Sequence, residues 1–228
     1  NLQSVVITSS VTSIGDNAFL ACGSLSSVTI GENVTSIGSS AFSGCNSLEN
    51  ITLPNSVTTI EDAAFKDCEN LQTVTIGSGL TAIADHMFEN CKRLTTVNFN
   101  GNSLTSIGSY SFNECQALEN ITLPNSVITI KDRAFRSCEF LEAVTLPNGL
   151  QTIGEEAFLD CVKLATIAIP NSVKSIENGA FVRCVALPSI DIPNNSHFTI
   201  LNKDVFYGCS TITSVDIPIG STGYGILS

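Results

Sequence analysis

Apolar residues return along this chain in one phrase that repeats about every 23 residues. Each unit opens on an apolar-x-x-apolar-x-apolar phrase, as in Leu25…Val28-Thr29-Ile30 and Leu71…Val74-Thr75-Ile76. Alternation of β-branched residues with polar ones predicts a short strand. A turn follows, often Pro-Asn, as at Pro54-Asn55, Pro124-Asn125 and Pro147-Asn148. Proline has no N–H, so ladder pairing stops there. Next comes an apolar-x-x-Ile phrase, as in Val34…Ile37 and Leu104…Ile107. It predicts a second short extended segment on the opposite wall.

The unit closes on a phenylalanine and, three residues later, a cysteine. The phenylalanines are Phe19, Phe42, Phe65, Phe88, Phe112, Phe135, Phe158, Phe181 and Phe206, spaced 23, 23, 23, 24, 23, 23, 23 and 25 residues apart. A period of this length predicts a solenoid, in which a coil buries its apolar face only against its neighbours. One strand of each kind per coil means that the strands stack as parallel sheets. The two irregular spacings come from turn insertions. Asn100-Gly101-Asn102-Ser103 adds one residue and Asn194-Asn195-Ser196-His197 adds two. Turns tolerate such additions best.

Three residues before each phenylalanine stand Asp16, Ser39, Asp62, Asp85, Ser109, Asp132, Glu155, Asn178 and Lys203. Seven of these nine are Asp, Ser or Asn, which accept hydrogen bonds from free N–H groups at a helix start. The pattern predicts a short helical turn carrying Phe and Cys inward. A cation-binding row of carboxylates is the competing reading, which the Ser and Asn members weaken.

Composition narrows the function classes. The chain has 228 residues, a net charge of −11 and only 14% charged residues. An acidic surface speaks against nucleic acid, whose phosphates need Lys and Arg, and against anionic membranes. No apolar run reaches the 18 or so residues of a membrane span. One elongated domain is expected over residues 1–218, with an irregular tail at 219–228. The start at Asn1-Leu2-Gln3 already lies inside a repeat, which reads as a cut through a longer protein or as a mature fragment.

Nine cysteines, one per coil, argue against a disulfide framework. Stacked strands lie about 4.7–4.9 Å apart, whereas bridged Cβ atoms need about 3.5–4.5 Å. The thiols are therefore expected to fill a narrow core. There is no C-x-x-C pair, and His86 and His197 fall in unrelated phases, so no metal site and no cofactor is expected. Nor is there a Ser-His-Asp set, G-x-S-x-G elbow, P-loop or H-E-x-x-H. The chain reads as a non-enzyme.

The phrase Val34-Thr35-Ser36-Ile37-Gly38, with Ala41-Phe42, Cys45 and Leu48 after it, resembles the BspA-like leucine-rich repeats. The likeness runs over about residues 2 to 218. It implies an α/β solenoid of about nine 23-residue coils. Short parallel strands would form its concave sheet, with a short helical turn in each coil. It also implies a secreted or cell-surface protein of bacteria or some protozoa, of a kind implicated in adhesion to host proteins or other cells.

Strand residues between the apolar ones should face outward on the concave side. Among 27 such positions there is no Lys or Arg. The candidate binding face is Glu49, Thr52, Thr75, Asn98, Glu119, Thr122, Glu142, Thr145, Asp191 and Asp216. A neutral to acidic face favours a polar or basic partner. The same rows hold no Trp, Tyr or Phe. Hot spots usually need Trp, Tyr or Arg, so affinity is expected to be weak per repeat and multiplied by repetition.

Sequons at Asn33, Asn50 and Asn120 are glycosylation acceptors or accidents of a Thr-rich repeat. The expectation is a monomeric, non-catalytic protein-interaction or adhesion module whose partner is a host matrix protein or another cell surface. The alternative is a stalk that presents another domain and has no ligand of its own. If the repeated rings are core, Phe112→Ala costs about 3–5 kcal/mol. A loss under about 1 kcal/mol in a denaturant titration would contradict the buried placement.

Overall fold

The structure, a computed structural model, describes residues 1–192, 200–201, 204–213 and 215. The chain winds into a parallel-strand solenoid of about eight coils of about 23 residues, against the nine counted from the sequence. The unit around Phe206 is described only in part. The second turn insertion, the strand expected near Ile217 and the tail at 219–228 lie outside the described residues.

Two walls are β. The first is β1 (Ser4–Val6), β3 (Ser27–Thr29), β5 (Asn50–Thr52), β7 (Thr73–Ile76), β9 (Thr96–Phe99), β11 (Asn120–Thr122), β13 (Ala143–Thr145) and β15 (Thr166–Ile167). The second is β2 (Ser13–Ile14), β4 (Ser36–Ile37), β6 (Thr59–Ile60), β8 (Ala82–Ile83), β10 (Ser106–Ile107), β12 (Thr129–Ile130), β14 (Thr152–Ile153), β16 (Ser175–Ile176) and β17 (Ile200–Leu201). All pairing is parallel and joins equivalent positions of successive coils. Ile51 opposes Val74, which opposes Val97. On the second wall Ile83 opposes Ile107 despite the extra residue between them. A slip by one would turn the isoleucines to solvent, so burial fixes the register.

The third wall corrects the sequence reading. No α-helix occurs among the described residues. The segment carrying Phe and Cys is instead a chain of tight turns. Ala18 N–H donates to the Gly15 carbonyl at 3.3 Å, and Cys22 N–H to the Phe19 carbonyl at 3.1 Å. Each of these turns has a left-handed residue in third place, Asn17 (φ 56°) and Ala21 (φ 55°), as a type II turn requires. The pattern recurs two residues before and two after each phenylalanine, as at Ala63 and Asp67, or Arg133 and Ser137.

This geometry points every second N–H along the solenoid axis. Asn17, Phe19 and Ala21 donate to the Ser39, Ala41 and Ser43 carbonyls of the next coil at 2.9, 2.7 and 2.7 Å. A helix would have spent those groups within its own coil. The predicted caps also work between coils. The Asp16, Asp85 and Asp132 carboxylates accept from the amides of Ser39, Ser109 and Glu155 in the following coil, at 2.9, 2.8 and 2.9 Å.

The core lies between the three walls. From Phe42 to Phe181 the repeated rings are fully buried. They stack face over face, with neighbouring centroids 5.1–5.8 Å apart and planes within 3–22°. All nine cysteines are free. Each thiol from Cys45 to Cys209 donates to the carbonyl of the preceding coil's phenylalanine, at 3.0–3.3 Å. The thiols are thus polar ties as well as filling, which the sequence did not reveal.

Two expectations follow. Ala63 sits at φ 58° on the half-exposed turn wall. A left-handed alanine costs about 1–2 kcal/mol, and glycine gives back about 0.5–1 through unfolded-state entropy. Ala63→Gly therefore raises stability by up to about 1 kcal/mol, and Ala64→Gly, one residue into the core, lowers it. Equal destabilisation by both would refute the left-handed assignment.

The thiols set an alkaline limit. Burial pushes Cys45 and Cys209 up to about 11, and the six thiols between them are raised too. Unfolded thiols ionise near pH 8.5. Stability is therefore whole below about pH 8.5 and falls as pH rises towards 11 and beyond, by about 1.4 kcal/mol per thiol and pH unit. Circular dichroism during an alkaline titration should show one cooperative loss of structure. Ellman reactivity should rise with it; early reaction of the thiols in a folded chain would overturn the ladder.

Candidate binding face

The strand alternation that turns Val74 and Ile76 inward turns Thr73 and Thr75 outward. Applied to every coil, it lays the predicted residues on the outer side of the first wall. Thr52, Thr75 and Asn98 stand in register across β5, β7 and β9, and Thr122 opposes Thr145 across β11 and β13. Glu49, Thr52, Asn98, Glu119, Thr122, Glu142, Thr145 and Asp191 are exposed, and Thr75 is half-buried. Asp216 lies outside the described residues. Glu119 and Glu142 are ladder neighbours, for the Glu142 amide donates to the Glu119 carbonyl at 2.7 Å. Like charges side by side on a sheet oppose folding.

Charge is sorted between the walls. On the turn wall, acids and bases of different coils pair, Lys131 with an acid two coils before it and the others with an adjacent coil. Lys66 meets Glu89 at 2.8 Å, Lys131 meets Asp85 at 3.1 Å, and Arg133 meets Glu156 at 2.7 Å and Glu155 at 3.2 Å. Arg183 bridges to Asp160. Burial disfavours the Glu89 carboxylate, yet hydrogen bonds from Lys66 and His86 hold it below the ordinary carboxylate range. The same bond raises Lys66. His86 also stacks on Tyr110 at 4.9 Å, with the Arg133 guanidinium 5.4 Å from the other ring's centre. Glu49, Glu119, Glu142 and Asp191 enter no ion pair among the described residues.

The second wall's ladder is broken once, between β6 and β8; the first wall is parted twice. Its ladder runs β1-β3, then β5-β7-β9, then β11-β13-β15, with no strand bonding from β3 to β5 or from β9 to β11. Thr95 donates its amide to the Gln72 carbonyl at 3.0 Å; Glu119 makes no such bond to Thr95. Each parting opens a cleft. The one at β3/β5 is about 390 Å³ and includes Glu32 and Asn50. The one at β9/β11 is about 710 Å³ and lies beside the inserted turn. That turn is fastened to the coil before it. Ser103 Oγ donates to the Ser78 carbonyl, and a Cβ on Gly101 would stand 2.7 Å from Ser78 Cβ.

Thr75, Asn98 and Thr122 of the predicted face line the larger cleft, together with Asn100, Asn102 and Asn125. Phe99 lines it too, half-buried. Phe99 occupies a core position that other coils fill with Leu or Ile. The expectation of an aromatic-free face missed it because only outward-facing rows were counted. Among the described residues no cluster of His, Cys, Asp or Glu could hold a metal ion. No helix there is long and apolar enough to cross a membrane.

Comparison with known proteins agrees with this geometry. The BspA type leucine rich repeat region matches in six copies over residues 1–117 and 105–225. The chain belongs to the BspA-type leucine-rich repeat family. A leucine-rich repeat protein from Bacteroides ovatus is 26% identical, covering 98% of this chain and 74% of its own, with a TM-score of 0.65. The T. pallidum leucine rich repeat protein is 30% identical over 82% of this chain and 78% of its own, with a TM-score of 0.57. A leucine-rich repeat protein from Eubacterium ventriosum shares the fold at 22% identity, with 95% and 73% coverage and a TM-score of 0.52. No curated protein matches the chain.

Proposed function

We propose that this BspA-type repeat is a non-catalytic interaction module of a secreted or cell-surface protein, engaging a basic or polar protein partner through its first wall. Proteins of the family are generally protein-interaction or surface proteins. The observation that carries the reading is the sorting of charge. Five of the cations, Lys66, Lys92, Lys131, Arg133 and Arg183, pair with acids off the first wall, while among the described residues Glu49, Glu119, Glu142 and Asp191 stand exposed, outside any ion pair, on a wall whose outward rows hold no Lys or Arg. Adjacent Glu119 and Glu142 oppose folding slightly, so their placement has a use other than stability. Such a field steers a basic partner towards the wall. The repetition of the face suits many weak contacts acting together.

The test is binding of the chain to immobilised extracellular-matrix proteins and to whole cells, beside a Glu119→Lys/Glu142→Lys variant. Binding should weaken ten-fold or more in the variant. In the native chain it should fall as salt rises through the range where screening shortens to about 8 Å. Unchanged binding by the variant would remove the acidic wall from the account.

A further inference from the structure

We propose that the cleft between β9 and β11 is a binding site for a neutral oligosaccharide. The proposal is independent of the acidic face, because no charged side chain lines this cleft. Five asparagines do: Asn98, Asn100, Asn102, Asn120 and Asn125. All are exposed. A carboxamide offers two donors and an acceptor. That set matches a sugar hydroxyl, which donates and accepts at once, and gives a phosphate or a lysine no advantage. The half-buried Phe99 supplies the apolar surface against which the C–H face of a pyranose packs. A few fixed polar groups beside an aromatic wall are the usual make-up of a small-molecule site, and 710 Å³ lies within the usual range of about 300–1,000 Å³.

A peptide strand is a poorer occupant. Cα atoms of β9 and β11 approach within 8 Å, whereas an inserted strand needs two ladder spacings, roughly 9.6 Å. The edges therefore cannot admit a strand, yet their unbonded peptide groups border the opening. The proposal does not extend to the parting at β3/β5. It lacks the amide cluster and carries Glu32.

Affinity electrophoresis of the full chain, made in a host without N-glycosylation, tests the proposal. The gels contain mannan, xyloglucan or galactan, with heparin as the charged control. Retardation is expected in at least one neutral gel and not in heparin. Asn98→Ala/Asn120→Ala should weaken it ten-fold or more. Phe99→Leu should weaken it several-fold. Leucine fills the same register at Leu123 and Leu146, so this variant keeps its fold and decides the matter if the double variant does not. Asn50→Ala in the smaller cleft and Glu119→Lys/Glu142→Lys should bind as the native chain does. No retardation in any neutral gel, stronger retardation in heparin, or undiminished retardation of Phe99→Leu would overturn the site.

Discussion

No coil of this protein can satisfy its own backbone. On all three walls a peptide group finds its partner in the next coil, through ladder bonds on two walls and the alternate N–H groups of the turns on the third. Buried peptide groups left unpaired are costly, so coils exist only as neighbours. The turn wall shows what this demands. Non-glycine residues take positive φ in coil after coil, each at about 1–2 kcal/mol. The bonds so aimed, and the ring and thiol stacks packed beneath them, offset that strain. Loss of one ring or thiol is felt on both sides of its coil.

Such a frame leaves function to the places where it is irregular. The first wall departs from uniformity in two ways. Among the described residues its outward carboxylates enter no ion pair, and its ladder is parted where the inserted turn sits. The insertion adds no slack, since Ser78 holds it from below. It sets a rim of asparagine amides in the cleft that Phe99 also lines. The proposed acidic surface for a protein and the proposed neutral cleft for a sugar are then two chemistries on one face.

Much of this was legible in the sequence. The Phe and Cys period, the β-branched alternation and the Pro-Asn turns marked the coil, its core and both strand walls. The outward threonines and glutamates of the first wall could be named before the fold was known. The helical turn could not survive, because Asp16, Asp85 and Asp132 look like caps in either case. Left-handed turns also leave no compositional trace here, for Asn17, Ala63, Tyr110 and Arg133 share nothing but their phase.

What the sequence determined by itself is which side chains go inside, because hydrophobicity and its period belong to each residue and its position in the chain. Only the tertiary structure decided which hydrogen bonds are made. The thiol-to-carbonyl ties, the caps reaching into the following coil, the turn-wall ion pairs and the parted ladder join groups some 23 residues apart. A shift in how two coils rest on each other makes or breaks such bonds while every apolar residue stays buried, so no local pattern records them.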